Sequence, residues 1–163
     1  KATEYLEKAG DDIQRISESL SDIVWNINPR YDDLQNLFVR LKRYAAEMME
    51  GKDIKYNIQM PDAPTNLKLG MEKRRDFYLV FKEAINNMAK YSEAENASIH
   101  VEVNNETIYL TISDDGKGFN TSVVSEGNGL VNMKQRAKTL NACLDIKSTP
   151  GQGTTIKLAF DVA

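Results

Sequence analysis

Residues 107–119 read TIYLTISDDGKGF and join a strand pattern to a tight glycine-containing turn. Apolar and polar side chains alternate as far as Ser113, which is typical of a strand with one buried face. Asp114 follows at the strand end, before Gly116 and Gly118, whose bare backbone lets a flat heterocycle approach closely. A carboxylate there can accept a hydrogen bond from such a ring. An aspartate–glycine turn is also common in loops, so its meaning depends on the neighbouring segments.

A polar helix face precedes this strand. In the segment FKEAINNMAKYS, Glu83, Asn87, Lys90 and Tyr91 stand at i, i+4, i+7 and i+8 and share one side of a helix. Asparagine is a poor helix former, so the pair Asn86-Asn87 calls for a reason. An amide oxygen offered to a hard cation, beside a lysine that reaches a phosphate, is one reason. A solvated helix face is the alternative.

Two further glycine turns follow the strand. GNGL places Gly127 and Gly129 immediately before a helix, where backbone N–H groups and the helix dipole form an anion site. TPGQGTT places Gly151 and Gly153 in a turn, and Thr154 opens the last strand. Each turn taken alone is accounted for by local chain reversal. Their joint order in one short chain favours a ligand site.

The remaining periodicities predict helices alternating with strands. Asp32 and Asp33 can cap the first of these helices. The Asn104-Asn105 pair signals a hairpin turn between the second and third strands. The pattern predicts an α+β fold with one layer of helices on a largely antiparallel sheet. The predicted helices are 34–51, 71–91 and 130–140, and the predicted strands are 54–60, 97–103, 107–112, 143–148 and 154–160.

The first segment predicts a long helix with a narrow apolar seam. Spacings that alternate between 3 and 4 make an unbroken heptad pattern, which favours packing against a partner helix. A surface helix packed on its own domain is the alternative. Pro29 disfavours helix at Asn28, so we predict a hinge over Asn28–Arg30 that separates residues 1–28 from residues 29–163. The seam consists of Leu6, Ala9, Ile13, Ile16, Leu20, Ile23 and Ile27.

Composition excludes several functions. The 163 residues carry 21 Lys and Arg against 24 Asp and Glu, a net charge of −3, so no basic footprint for nucleic acid is expected. Cys143 is the only cysteine, which excludes an internal disulfide and a multi-cysteine zinc site. His100 is the only histidine, and it stands in a strand pattern. No apolar run approaches the ~20 residues of a membrane span. The start at Lys1 suggests a piece of a longer protein.

The four motifs in this order resemble the N box and the three glycine boxes of the Bergerat-type ATPase superfamily. The resemblance runs from Pro29 to the C-terminus and is closest to a subgroup of bacterial sensor histidine kinases. It implies a two-layer α/β sandwich with three helices on one face of a mixed, largely antiparallel sheet. It also implies ATP and Mg²⁺ as ligands. The heptad helix resembles the second helix of the dimerisation and phosphotransfer bundle in these kinases.

The resemblance also implies roles for the polar helix face. Asn87 matches the Mg²⁺ ligand, and Glu83 matches the acidic residue beside the metal and its waters. Both are therefore candidate catalytic residues. Lys90 matches the position that approaches the nucleotide phosphates. Tyr91 occupies a nucleotide-binding position that is often histidine in this subgroup.

The glycine boxes supply the other implied nucleotide contacts. Asp114 resembles the carboxylate that binds the exocyclic amine of adenine, and Thr154 resembles the hydroxyl that supports this carboxylate and a water molecule. Residues 120–126 would form a short ATP lid. The remaining implied nucleotide-binding residues shape the adenine pocket or lie near the phosphates at the lid end. They are Gly116, Gly118, Gly127, Gly129 and Leu130.

One part of the family pattern is missing. These kinases transfer the γ-phosphoryl group to a histidine on the first bundle helix, and nothing in this chain matches that helix. We do not assign this role to His100, so the chain alone is not expected to phosphorylate itself on histidine. The resemblance implies a homodimer formed through the bundle and a response regulator receiver domain as partner. It implies a cytoplasmic location, as part of a membrane-anchored sensor that makes no membrane contact through this chain. An anti-sigma-type serine kinase and a nucleotide-sensing module without turnover are the alternatives.

Overall fold

The computed structural model describes residues 1–27, 34–61, 67–122 and 129–163. Four helices and five strands follow one another along these residues in the predicted order and with nearly the predicted bounds. The helices are α1 (Ala2–Ile27), α2 (Leu34–Gly51), α3 (Met71–Tyr91) and α4 (Gly129–Thr139). The strands are β1 (Lys55–Gln59), β2 (Asn96–Asn104), β3 (Thr107–Asp114), β4 (Cys143–Ser148) and β5 (Thr154–Asp161).

The five strands form one mixed sheet in the order β1-β2-β3-β5-β4. The pair β1–β2 is parallel, and α3 lies between these strands in sequence as the crossover that a parallel pair requires. The other three pairs are antiparallel. In this register Asp114 pairs with Thr154, which in turn pairs with Ser148, so three polar residues meet at one end of the sheet.

One face of the sheet packs against helices. Alternate residues of β2, β3 and β5 are buried, and the same core contains the apolar faces of α2, α3 and α4. Phe77 of α3 meets Phe160 of β5 edge to face, with ring centroids 5.0 Å apart. The opposite face carries exposed polar side chains such as His100, whose Nδ1 lies 3.0 Å from Gln59 Oε1. The predicted α+β fold is therefore confirmed.

The hairpin between β2 and β3 corrects the predicted turn by one residue. Asn104 still pairs with Thr107, so the two-residue loop is Asn105-Glu106 and not Asn104-Asn105. Both loop residues have positive φ, 50° and 67°, as the favoured two-residue hairpin turns require. The N–H of Val162 donates to Glu106 O at 2.8 Å and thereby holds a glutamate in a conformation that its type seldom adopts.

The helix α1 has the predicted apolar seam, and the part of the seam that the structure describes is open to solvent. Leu6, Ile13, Ile16 and Leu20 are between 58% and 74% exposed. The predicted hinge at Asn28–Arg30 and the predicted caps at 32 and 33 lie outside the described residues. Among the described helices, none has the length and apolar character needed to cross a membrane.

An ion pair between a half-exposed arginine and a buried carboxylate joins α4 to α3. Asp76 of α3 is 3% exposed at its side chain, and Arg136 Nη1 of α4 donates to Asp76 Oδ1 at 3.2 Å. Arg75 Nε lies 3.6 Å from the same oxygen. Gly129 is the first residue of α4, so this ion pair contributes to positioning Gly129 against α3.

Candidate nucleotide-binding site

Glu83 and Asn87 of α3 meet the first residue of α4. A Cβ added to Gly129 would lie 2.4 Å from Glu83 Oε1 and 2.7 Å from Asn87 Nδ2, so only glycine fits there without displacing these side chains. Both side chains are half-buried. The structure therefore joins the polar helix face to Gly129 at the start of α4. A carboxylate and an amide lie together there.

The other residues predicted for this end differ in exposure. Lys90 is exposed and Tyr91 is 64% exposed, on the last turn of α3. Leu130 is half-buried in the first turn of α4. Gly127 and residues 123–126 of the predicted lid lie outside the described residues. At the start of that lid, the N–H and hydroxyl of Ser122 both donate to Asn120 Oδ1, at 3.0 and 2.6 Å.

Asp114 ends β3 with a half-buried carboxylate. Burial raises the pKa of this carboxyl above its usual value, while the N–H groups of Gly116 and Thr154 partly offset that effect. The Gly116 N–H donates to Asp114 Oδ1 at 2.9 Å. The carboxylate is thus oriented by its own turn, as a site for a hydrogen-bond donor requires.

The glycines after Asp114 serve backbone packing. A Cβ on Gly116 would lie 2.2 Å from Ser92 O, and a Cβ on Gly118 would lie 2.2 Å from Thr149 O. Lys117, between them, donates its N–H to Ser92 O at 2.7 Å and accepts from the Gly151 N–H at 2.6 Å. The sequence suggested that these glycines make room for a ligand. In the structure they let the turn pass between the end of α3 and the β4–β5 turn.

A serine that the sequence did not single out connects the same elements. Ser148 Oγ accepts from the Phe119 N–H at 2.8 Å and lies 3.1 Å from Gly153 O. It also lies 2.8 Å from Thr154 Oγ1, so the hydroxyl predicted to support Asp114 has a serine partner in the structure. Serine beside a turn is too frequent to have indicated this role.

The neighbouring carboxylate, Asp115, has a structural role. Its Oδ1 accepts from the N–H groups of Glu95 and Asn96, both at 2.9 Å, and its Oδ2 accepts from Asn96 Nδ2 at 2.8 Å. The Asn96 side chain, followed by these N–H groups, lowers the pKa of Asp115. One carboxylate of the Asp114-Asp115 pair thus anchors the loop before β2, and the other remains at the candidate site.

The two clusters lie at different points along α3. Ser92, which packs on Gly116, is nine residues after Glu83, or roughly 13 Å at the helical rise. A ligand that contacts both clusters must therefore be elongated. Its hydrogen-bond donor would lie at Asp114 and its anionic end at the start of α4.

In the described part of the chain, a crevice and a cleft border these clusters, and Asp114 lines neither of them. A polar crevice of about 190 Å³ between α3 and α4 is lined by Glu83 and Asn86, with Asn132 and Arg136 opposite them. A more apolar cleft of about 410 Å³ lies between α4 and β4. Asn86 and Asn87, adjacent in sequence, therefore face different surroundings, because Asn86 lines the crevice and Asn87 contacts Gly129.

Comparison with known proteins identifies the class. Residues 72–163, more than half of the chain, match the family described as histidine kinase-, DNA gyrase B- and HSP90-like ATPase. The chain therefore belongs to this ATPase family.

The individual relatives are named as kinases. The chain is 31% identical over 133 residues to the signal transduction histidine-protein kinase/phosphatase DegS of Bacillus subtilis, covering 78% of this chain and 34% of that protein. It is 28% identical over 167 residues to DegS of Brevibacillus brevis, covering 98% and 42%. The chain thus spans well under half the length of these relatives.

A solved structure shares the fold. The Erythrobacter litoralis EL346 blue-light activated histidine kinase superposes with a TM-score of 0.69 at 21% identity, over 95% of this chain and 50% of that one. This likeness supports the architecture that the resemblance implied.

Proposed function

We propose that this chain is the ATP-binding catalytic part of a sensor histidine kinase. The observation that carries the proposal is the contact of Glu83 and Asn87 with Gly129, which lies between about 7 and 13 Å along α3 from the Ser92 contact with the Asp114 turn. This arrangement suits a nucleotide whose adenine amine donates to Asp114 and whose phosphates lie at the start of α4. The names of the relatives favour this function over a serine kinase or a nucleotide sensor.

The residues at the α4 end fit a magnesium ion. Mg²⁺ prefers oxygen ligands and is usually held by one or two protein groups together with phosphates and water. Asn87 offers an amide oxygen and Glu83 a carboxylate at the same point. When bound, the ion would neutralise charge on the phosphates during phosphoryl transfer. The part of these side chains is to hold and orient that charge beside the α4 N-terminus.

The partners follow from the same proposal. The chain presents the γ-phosphate to a histidine on a helical bundle that it does not itself contain, and the phosphoryl group then passes to a response regulator receiver domain. The intact kinase forms a homodimer through this bundle. Support comes from the exposed heptad seam of α1, since such a narrow apolar stripe is stabilised by a facing helix.

Replacing Asn87 tests the proposal. We expect Asn87→Ala to lower phosphoryl transfer to a separately purified bundle by about a hundredfold, because the amide oxygen at the metal is lost. Asn86→Ala is the matched control and should stay within about threefold, since the side-chain atoms nearest to a Cβ on Gly129 belong to Glu83 and Asn87. The measurement is acid-labile phosphate on the bundle after incubation with Mg²⁺ and radiolabelled ATP.

The outcomes separate the alternatives. A bundle whose acceptor histidine is replaced by glutamine should gain no label, and neither should the chain alone. Acid-stable label on serine of a partner protein would favour the serine kinase. Nucleotide binding without any transfer would favour the sensor. Equal losses from Asn87→Ala and Asn86→Ala would contradict the assigned role of Asn87.

A further inference from the structure

The cleft between α4 and β4 is lined mainly by apolar side chains. Its volume of about 410 Å³ falls in the range of small-molecule sites. Leu144 and Ile146 line it from β4, and Leu130 and Ala137 line it from α4. The two β4 side chains are half-buried and alternate with exposed residues of the outer sheet face. The cleft therefore offers an apolar surface that the protein's own core leaves partly uncovered.

The charged side chains of the described residues that line this cleft are all positive. Lys134 and Lys138, one helical turn apart on α4, both line it, and no Asp or Glu of the described residues does. Within the described part of the chain neither ammonium group has a carboxylate partner within ion-pair distance, and both side chains are exposed. A ligand that complements this cleft has an apolar body and a single anionic head.

We propose that the cleft binds an amphiphilic carboxylate with an aliphatic body. Among the described lining residues other than the two lysines, Thr121 alone has a polar side chain, so a hydrogen-bonding heterocycle would leave most of its polar atoms unpaired. Asp114, Glu83 and Asn87 are absent from the lining, and two lining residues, Thr121 of the predicted lid and Leu130, are also assigned to the nucleotide site. The cleft is a second binding site, distinct from the Asp114 turn and from the Glu83 and Asn87 side chains.

Decanoate and octanoate, below micelle-forming concentration, are the probes for this site. Isothermal titration of the full chain should show decanoate binding about tenfold more tightly than octanoate, because two further methylenes are buried. Decanol, which lacks the charge, should bind at least about tenfold more weakly than decanoate. Absence of any decanoate binding would overturn the proposal, and so would equal affinity for the two chain lengths.

Matched variants locate the bound molecule. The double variant Lys134→Gln/Lys138→Gln should weaken decanoate binding roughly tenfold, since it removes both ammonium groups. Lys147→Gln/Lys157→Gln makes the same charge change on the outer sheet face and should leave the affinity within about twofold. Ala142→Leu, which adds bulk to the lining, should also weaken binding. Circular dichroism confirms that each variant is folded.

Three results would contradict the assignment. Equal weakening by the two double variants would indicate nonspecific attraction to positive charge. Undiminished binding in both the lysine and the Ala142 variants would place decanoate elsewhere, for example on the exposed seam of α1. Loss of decanoate binding in Asp114→Asn, or full displacement by a non-hydrolysable ATP analogue, would make the cleft part of the nucleotide site.

Discussion

Gly153→Ala is expected to lower the free energy of unfolding by about 3 kcal/mol or more. Gly153 has φ of +76°, and a Cβ there would lie 2.0 Å from Asp114 O and 3.2 Å from Asp115 Cα. The substitution therefore combines left-handed strain with a backbone clash, and either the end of β3 or the β4–β5 turn has to move. Because the clash falls on Asp114, nucleotide binding should weaken together with stability.

Gly151→Ala separates the two causes. Gly151 has φ of +82°, in the same region, but a Cβ there meets nothing within 4 Å. This variant should lose only about 1 kcal/mol, the usual cost of a left-handed non-glycine residue. Urea unfolding followed by circular dichroism measures both variants. Equal losses in the free energy of unfolding would show that the close approach of Gly153 to Asp114 does not affect stability.

Arg136→Met should lower the free energy of unfolding by about 3 kcal/mol. The variant keeps the apolar stem of the side chain but leaves the Asp76 carboxylate buried without its 3.2 Å hydrogen bond, while the longer 3.6 Å contact to Arg75 remains. Removing the partner of a buried carboxylate costs more than the ion pair itself contributes, because the carboxylate stays desolvated. Urea unfolding again gives the measurement.

The double variant Asp76→Leu/Arg136→Met tests this explanation. It removes both charges, so it should recover a large part of the stability that Arg136→Met loses. Lys138→Met on the same helix is the control and should change stability by less than about 0.5 kcal/mol, because Lys138 is exposed. If the double variant loses more stability than the two single variants lose together, an unpaired buried carboxylate is not the cause.

Much of the fold could be predicted from local sequence. The bounds of α3 and β4 agree with the predicted helix Met71–Tyr91 and the predicted strand Cys143–Ser148 because long periodic segments carry their own signal. The hairpin loop lies one residue later than predicted, because two consecutive asparagines do not determine which pair of residues forms the loop. The hydrogen bond from the Val162 N–H to Glu106 O favours the observed loop, and Val162 is distant in sequence.

The candidate site could be predicted only in part from the sequence. Four motifs indicated the residues that meet at Gly129 and at Asp114, but no local pattern indicated which contacts hold these residues in place. The Asp76–Arg136 pair joins residues 60 positions apart, and Ser148 connects two turns through its hydroxyl. Likewise, nothing in the doublet Asp114-Asp115 indicated which carboxylate anchors a loop. Such contacts depend on tertiary packing, which has no local signature.

Calorimetric titration with Mg²⁺ and a non-hydrolysable ATP analogue tests the central claim most directly. Asp114→Asn replaces one carboxylate oxygen with an NH2 group. Two hydrogen-bond donors, this group and the adenine amine, would then face each other. Asp115→Asn alters the adjacent carboxylate, whose partners are Glu95 and Asn96. We predict that the native chain and Asp115→Asn bind the analogue within a few-fold of each other, and that Asp114→Asn binds at least about a hundredfold more weakly. Undiminished binding by folded Asp114→Asn, or no binding by the folded native chain, would contradict a nucleotide site at this turn.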